Sequence, residues 1–188
     1  MAVSEHILED QQILEKFKQP DGRNYAFHLL VRKYQERVYH LIRTMVIDHD
    51  DADDLVQETF IKVWNNLDTF RAEAQLFTWI YRIATNESLR FLKKKRRKFF
   101  IPIGDVAQEL SNKIDSSSWI DGDEVQKKLQ KALLTLPDKQ RLVFNLKYFE
   151  DMKYEAMADI TGTSVGALKA SYHLAVKKVE AFLHDETL

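Results

Sequence analysis

Residues 153–178 hold two amphipathic helical patterns separated by the break Thr161-Gly162-Thr163, and few folds accommodate that arrangement. Ala156, Met157 and Ile160 share one apolar face of the first pattern. Gly162 supplies the positive φ that a tight exit from a helix needs, and Ser164 is placed to cap a second helix over residues 165–182. In that helix Val165, Leu168, Tyr172, Ala175, Val176 and Val179 fall at helical spacing. The small residues Ala156 and Gly162 near the crossing let the helices approach steeply, as a helix-turn-helix requires. An αα-hairpin inside a bundle shows the same apolar pattern. The polar face separates the two readings, because Lys169, Ser171, His173, Lys177 and Lys178 can reach a groove or a phosphate.

Helical periodicity also fills the first hundred residues. Residues 24–45 carry Phe27, Leu30, Val31, Tyr34, Val38, Leu41 and Ile42 at three- and four-residue steps. Asp50 and Asp51 are expected to cap a second helix running to residue 67, with an apolar stripe of Leu55, Val56, Phe60, Val63, Trp64 and Leu67. A turn over residues 68–74 leads to a third helix over residues 75–95, with Phe77, Ile80, Ile83 or Ala84, and Leu92 inward. Only five Gly and three Pro occur in 188 residues, too few for an all-β fold with many turns. Residues 99–122 lose the period and contain Pro102, Gly104, Gly122 and three consecutive serines, which reads as a linker with a short helix near residues 106–110. Fully extended, about 24 residues reach about 80 Å. Helices return at residues 124–134 and 137–148, the latter with Pro137 in its first turn.

The expected architecture is therefore all-α. Residues 1–23 form an amino-terminal tail or short helix, 24–98 a first helical domain, 99–123 an acidic linker and 124–188 the helix-turn-helix domain. Without cysteine there is no disulfide framework, thiol nucleophile or Cys-based zinc site. No signal-peptide pattern and no apolar run of membrane-spanning length occur, so the cytoplasm is the expected compartment and membrane insertion is not expected.

The formal net charge of −1 conceals patches of alternating sign. Residues 48–58 hold six acids and no Lys or Arg, residues 90–98 hold seven bases and no acid, and residues 103–124 are again acidic. On the third helix Trp79, Arg82, Asn86, Arg90, Lys93 and Arg97 recur as one stripe. A ring to stack on bases, cations for phosphates and an amide for a base edge together suit unstacked nucleic acid. A basic helix end alone would be explained by the macrodipole, but the run Lys93-Lys94-Lys95-Arg96-Arg97-Lys98 exceeds what a cap needs. The acidic run admits two readings. Acids in a first turn are stabilised by about 0.3–1 kcal/mol each, whereas Gln57 and Glu58, beside the exposed side of Leu55, suit docking to a basic protein. His49-Asp50 is a dyad of metal-phosphohydrolase type, and a loop histidine beside a capping aspartate is its ordinary meaning. No phosphate-binding loop, nucleophile elbow or metalloprotease motif is present, so neither a catalytic residue, a metal site nor a cofactor is expected.

Taken together these segments resemble the sigma-70 family of bacterial RNA polymerase sigma factors. Asp51-Ala52-Asp53-Asp54-Leu55-Val56-Gln57-Glu58-Thr59-Phe60 resembles the polymerase-docking signature. Leu67-Asp68-Thr69-Phe70-Arg71, followed by Phe77-Thr78-Trp79-Ile80-Tyr81-Arg82-Ile83-Ala84-Thr85-Asn86, resembles the promoter-melting segment. Leu136-Pro137-Asp138-Lys139-Gln140-Arg141, Tyr154-Glu155-Ala156-Met157-Ala158 and Ser164-Val165-Gly166-Ala167-Leu168-Lys169 resemble the helix-turn-helix domain that reads the upstream promoter element. The short two-domain form is similar to the extracytoplasmic-function (ECF) subgroup. The resemblance covers residues 24–98 and 124–182.

The resemblance implies an alternative sigma factor that binds core RNA polymerase through Asp51, Asp54, Leu55, Gln57 and Glu58 and catalyses nothing itself. It implies minus-ten contacts from Phe70, Arg71, Trp79, Tyr81, Arg82, Asn86, Arg90, Lys93 and Arg97, with residues 71–76 capturing a base flipped from the non-template strand. It implies minus-thirty-five contacts from Ser164, Lys169, Ser171, Tyr172, His173 and Lys177. The implied partners are core polymerase, promoter DNA as duplex and melted strand, and an anti-sigma protein. Two departures stand out. Ala74 occupies a position where relatives often have Gly, and no Arg follows Lys169-Ala170-Ser171, so the usual bidentate guanine reader is missing. A free-standing helix-turn-helix regulator, which would bind duplex without polymerase, is the other reading.

Overall fold

The computed structural model describes residues 2–99, 111, 112, 114 and 124–185. Among these residues there are eight α-helices and no strand. They are α1 (Ala2–Phe17), α2 (Arg23–Val46), α3 (His49–Asn66), α4 (Leu76–Phe99), α5 (Glu124–Leu134), α6 (Asp138–Tyr148), α7 (Tyr154–Thr161) and α8 (Val165–Asp185). The short helix expected near residues 106–110 lies outside the described residues. No described helix is long and apolar enough to cross a membrane.

The first unit packs α2, α3 and α4 against one another, with α1 laid along α2. Its centre is Leu30, Tyr34, Val38, Ile42, Val63, Ile80 and Ala84, drawn from the stripes that the spacing marks as inward, with Ala52 added from the first turns of α3. Each large aliphatic side chain buried this way contributes about 1.5–3 kcal/mol. Phe17 and Ile13 of α1 are buried in the same core. Gly22 makes the α1–α2 corner possible, since a Cβ there would lie 2.7 Å from the carbonyl oxygen of Lys16.

The α2–α3 corner is two residues long. Ile47 closes α2 with φ of 66°, donating its N–H to the Arg43 carbonyl at 2.9 Å. Asp48, in extended conformation, accepts from the Asp51 N–H at 3.0 Å and caps α3. The cap is therefore Asp48 rather than Asp50 or Asp51, which occupy the first turn. An Asx side chain must stand outside the helix to reach an N3 amide, and Asp48 is the residue with that reach.

In the second unit α8 packs on α5, α6 and α7. Pro137 precedes α6 as its N-cap, at φ −54° and ψ 144°, rather than standing in its first turn. Gly162 adopts the left-handed conformation (φ 67°, ψ 22°) and its N–H closes α7 on the Ala158 carbonyl at 2.8 Å. The Ser164 hydroxyl accepts from the Ala167 N–H at 3.3 Å, as a cap of α8 should. Both long terminal patterns run further than the spacing predicts. Helix α4 reaches Phe99 and α8 reaches Asp185. For α4 the cause is visible, because Lys95 and Arg96 in the last turns are held by Asp51 and Asp138.

The two units share a hydrophobic core. Leu142, Val143, Leu146, Met152, Met157, Ile160 and Leu168 join the cluster of the first unit, and a smaller cluster forms around Ala132, Leu133, Phe144, Ala175 and Val179. Helix α6 lies against α2 and α4, and α7 lies against α4.

Candidate nucleic-acid interface

The outer face of α3 is the acidic surface. Asp54, Gln57 and Glu58, three and four residues apart on one helix, are all exposed. Asp51 sits half-buried one turn earlier, its Oδ2 accepting from Lys95 Nζ of α4 at 2.7 Å. Leu55 belongs to the core stripe with Phe60 and Val63, as its spacing predicts, and at 4% exposure it has no exposed side to offer a partner, which corrects its place among the docking residues. His49 is exposed, with Nδ1 2.9 Å from the Tyr39 hydroxyl and Nε2 3.5 Å from Asp53. Among the described residues no His, Asp and Glu side chains cluster as metal ligands would.

A 3₁₀ turn, Leu67–Thr69, carries the chain from α3 into the loop before α4. Phe70 closes that turn through its N–H to the Leu67 carbonyl at 3.2 Å, and its ring lies 5.2 Å from Trp79. Arg71 is exposed and Ala72 takes φ of 56°, a left-handed conformation that an L side chain rarely adopts.

Helix α4 splits the basic run between two tasks. Arg82, Asn86, Arg90, Lys93 and Arg97 are exposed along one face, with Trp79 half-buried at its start. Arg90, Lys93, Lys94 and Arg97 together line an open groove. Lys94, four residues after Arg90, thus joins the basic face beside the stripe that spacing predicts. Lys95 and Arg96 point the other way, into ion pairs with Asp51 and Asp138. Glu87, 4% exposed, is gripped by Lys62 of α3 and by Arg90 at 2.8 Å, which ties the groove to the helix behind it.

Tyr81, which the resemblance implies as a minus-ten contact, faces inward instead. It is fully buried, its ring packs 4.1 Å from Phe77, and its hydroxyl donates to Glu150 at 3.1 Å. Only one residue separates it from Trp79, which on a helix turns it about 200° away from that side chain. Burial and the adjacent Glu150 carboxylate both push the Tyr81 hydroxyl well above the usual phenol range.

On α8, Lys169, His173 and Lys177 recur at four-residue steps and are exposed, with Ser164 exposed at the cap. Exposed Gly166 and Ala170 on the same side leave the backbone open to close approach. Ser171 is half-buried. Tyr172 is half-buried on the apolar side that its spacing marks, four residues after the buried Leu168, with its ring 5.8 Å from Phe144. Burial raises its pKa as well. Lys178 donates to Gln140 of α6 at 3.2 Å.

Polar contacts join the two units across these faces. Arg82 Nε donates to the Asp159 carbonyl of α7 at 2.8 Å. Glu150 accepts from Tyr81 and pairs with Arg37 at 3.2 Å. Arg141, 3% exposed, donates to the Met45 carbonyl at 2.8 Å, and Asp138 bridges Arg141 and Arg96. Burial holds the Arg141 pKa below its ordinary value, with Asp138 opposing the shift and Arg96 adding to it.

Comparison with known proteins accounts for both units. Residues 30–98 match the sigma-70 region 2 family and residues 126–179 match sigma-70 region 4. The RNA polymerase sigma-H factor of Pseudomonas aeruginosa is 30% identical over 185 residues, covering 93% of this chain and 94% of its own. The ECF RNA polymerase sigma factor SigW of Bacillus subtilis is 28% identical, covering 94% and 99%. Two solved structures share the fold at a TM-score of 0.65. They are the sigma factor RpoE of Bartonella quintana in complex with the anti-sigma factor NepR, at 22% identity over 84% of this chain and 96% of that one, and CnrH in complex with the cytosolic domain of CnrY, at 23% identity over 95% and 96%. Domain matches in the order region 2 then region 4, with relatives similar over nearly their whole length, place this chain in the sigma-70 family of RNA polymerase sigma factors, in its extracytoplasmic-function group.

Proposed function

We propose that this alternative sigma factor docks on core RNA polymerase through Asp54, Gln57 and Glu58, opens the minus-ten element with α4 and its preceding loop, and reads the minus-thirty-five element with α8. The observation that carries the reading is the pairing of faces on α3 and α4: an exposed acidic surface on one helix and an exposed basic groove with a half-buried Trp79 on the next. Asp51 stands at the junction, since Lys95 already neutralises it, so it orients the two helices and leaves the docking charge to Asp54 and Glu58.

Opening costs a few kcal/mol for each base drawn from the stack. Stacking on an aromatic side chain returns about 1–3 kcal/mol per base, and the Phe70–Trp79 pair is the aromatic surface beside the loop. Arg90, Lys93, Lys94 and Arg97 hold the displaced backbone by charge, which makes binding fall steeply with salt. The upstream element is held through Lys169, His173 and Lys177 and through the amino-terminal amides of α8. Tyr172 supports the recognition helix from within. The protein catalyses no reaction of its own in this reading, needs no cofactor and acts in the cytoplasm, where polymerase is.

The two promoter elements lie about one and a half turns, or roughly 50 Å, apart, so the helix-turn-helix unit must leave α4 when both are bound. That departure frees Arg82 from Asp159 and uncovers Tyr81, which then becomes available to DNA. An anti-sigma protein that covers both DNA faces is part of the reading; copurification from the native cell is its check.

The docking assignment is tested by measuring the affinity of labelled protein for core polymerase. Asp54→Lys is expected to weaken binding at least tenfold while its helical circular dichroism is unchanged. Equal affinity of the variant and the parent would remove α3 as the docking face. A free-standing regulator would instead bind promoter duplex tightly with no polymerase present.

A further inference from the structure

We infer that Arg23 is a positioning residue for the base-capturing loop, holding through Asp68 the turn that leads into it. The inference rests on the minus-ten reading given above. The guanidinium of Arg23 fits Asp68 as a fork, Nη1 to Oδ1 at 3.0 Å and Nη2 to Oδ2 at 2.5 Å. Its carbon lies 4.2 Å from the Phe17 ring centroid and 5.0 Å from the Trp64 ring. Those two rings meet edge to face at 5.3 Å.

Rings against a guanidinium limit its rotation and aim its N–H groups, so the carboxylate it binds is held in direction as well as in place. Charge alone does not explain the arrangement, because a lysine would supply the charge without the fork. The contact raises the Arg23 pKa and lowers that of Asp68, each chiefly through the hydrogen bond between them.

What Asp68 anchors is the 3₁₀ turn Leu67–Thr69, which is also pinned by the Thr69 hydroxyl donating to the Asn66 carbonyl at 2.8 Å. Phe70 follows directly, its ring tilted 48° against Trp79. Beyond it the loop passes through Ala72 in the left-handed region, a conformation that persists only when its surroundings hold it. At its far end the loop joins α4, where the Trp79 N–H donates to the Gln75 carbonyl at 3.1 Å. The near end has the Arg23 clamp. Phe17 and Arg23 both precede the residues that match region 2, which begin at residue 30. The α1–α2 corner, made possible by Gly22, thus contributes a part of the promoter-opening device from outside the matched domain.

The test uses full-length protein in holoenzyme on forked templates built from a start site mapped by run-off transcription. One set is intact, and in the other each minus-ten non-template base is replaced in turn by an abasic residue. The parent protein identifies the captured base as the position where the abasic template binds worst. Arg23→Gln is expected to lose about tenfold in binding to the intact fork, one decade of affinity, and to lose nothing further on the fork abasic at that position. Arg23→Lys, which keeps the charge and lacks the fork, stays defective. The exchange of Arg23→Asp with Asp68→Arg recovers part of the loss. Core affinity and helical circular dichroism are unchanged throughout, and every variant is folded at the assay temperature. An equal loss on intact and abasic forks, or full activity of Arg23→Gln, overturns the inference. A parent protein that treats every abasic fork like the intact one removes the base-capture reading itself, and the inference with it.

Discussion

Tyr81 packs its ring on Phe77 and gives its hydroxyl proton to Glu150 and the Arg37 carbonyl, so its ionisation is coupled to folding. A phenol is neutral when protonated, and the folded chain holds this proton more tightly than the unfolded chain does. The stabilisation is therefore complete below the ordinary phenol pKa of about 10 and is lost as pH rises above it. Urea unfolding between pH 8 and 11 should show the parent losing stability above pH 10 more steeply than Tyr81→Phe. The difference approaches about 1.4 kcal/mol per pH unit, one proton's worth. Parallel curves would mean that the hydroxyl ionises alike in both states. At this scale the sequence showed which residue types were present but not which way each faced. Trp79, Arg82 and Asn86 stand on the expected outer face, whereas Tyr81 turns inward. A tyrosine between two faces is assigned by its hydroxyl's partner, and Glu150 lies 69 residues away.

At the scale of elements, the break between α7 and α8 depends on one backbone conformation. Gly162 sits at φ 67° and no atom lies within 4 Å of where a Cβ would stand, so substitution there meets backbone strain and no clash. Gly162→Ala should destabilise the protein by about 1 kcal/mol, read as a lower urea midpoint with an unchanged slope. A cost near zero would show that the turn relaxes into another conformation. This turn was legible because its determinants are local: a glycine, a serine three residues before the amide it caps, and apolar residues at helical steps. The cap of α3 was less so. Three aspartates in four residues compete for that role, and only the backbone extension at Asp48 decides among them. The split of the basic run was hidden for a different reason. Lys95 and Arg96 face inward because Asp51 and Asp138 wait there, one of them in the other unit.

At the scale of the molecule, the helix-turn-helix unit is folded back on α2 and α4 by a shared apolar core and by a short set of charged contacts. Asp138 is central, since it sits between Arg96 of α4 and Arg141 of its own helix. Asp138→Lys would set three cations together and leave Arg141 buried without its partner, a change that breaks the junction in preference to either unit. A compact chain of this length has a radius of gyration of about 16 Å. Small-angle scattering should find the free parent near that value and Asp138→Lys distinctly larger, with helical content retained. An unchanged radius would show that apolar contact alone closes the molecule. None of this junction was legible from periodicity. The faces that meet, such as Leu142, Met157 and Ile160 with the α4 helix, are ordinary apolar stripes whose partner the sequence does not specify.

The central claim is that docking, opening and upstream reading reside in this one chain, and run-off transcription tests it most directly. Core RNA polymerase is assayed with and without the protein on the region upstream of its own gene. The account predicts a transcript with a single start that requires both components and disappears with Asp54→Lys. Tight duplex binding by the protein alone, with no association with core and no change in transcription, would contradict it.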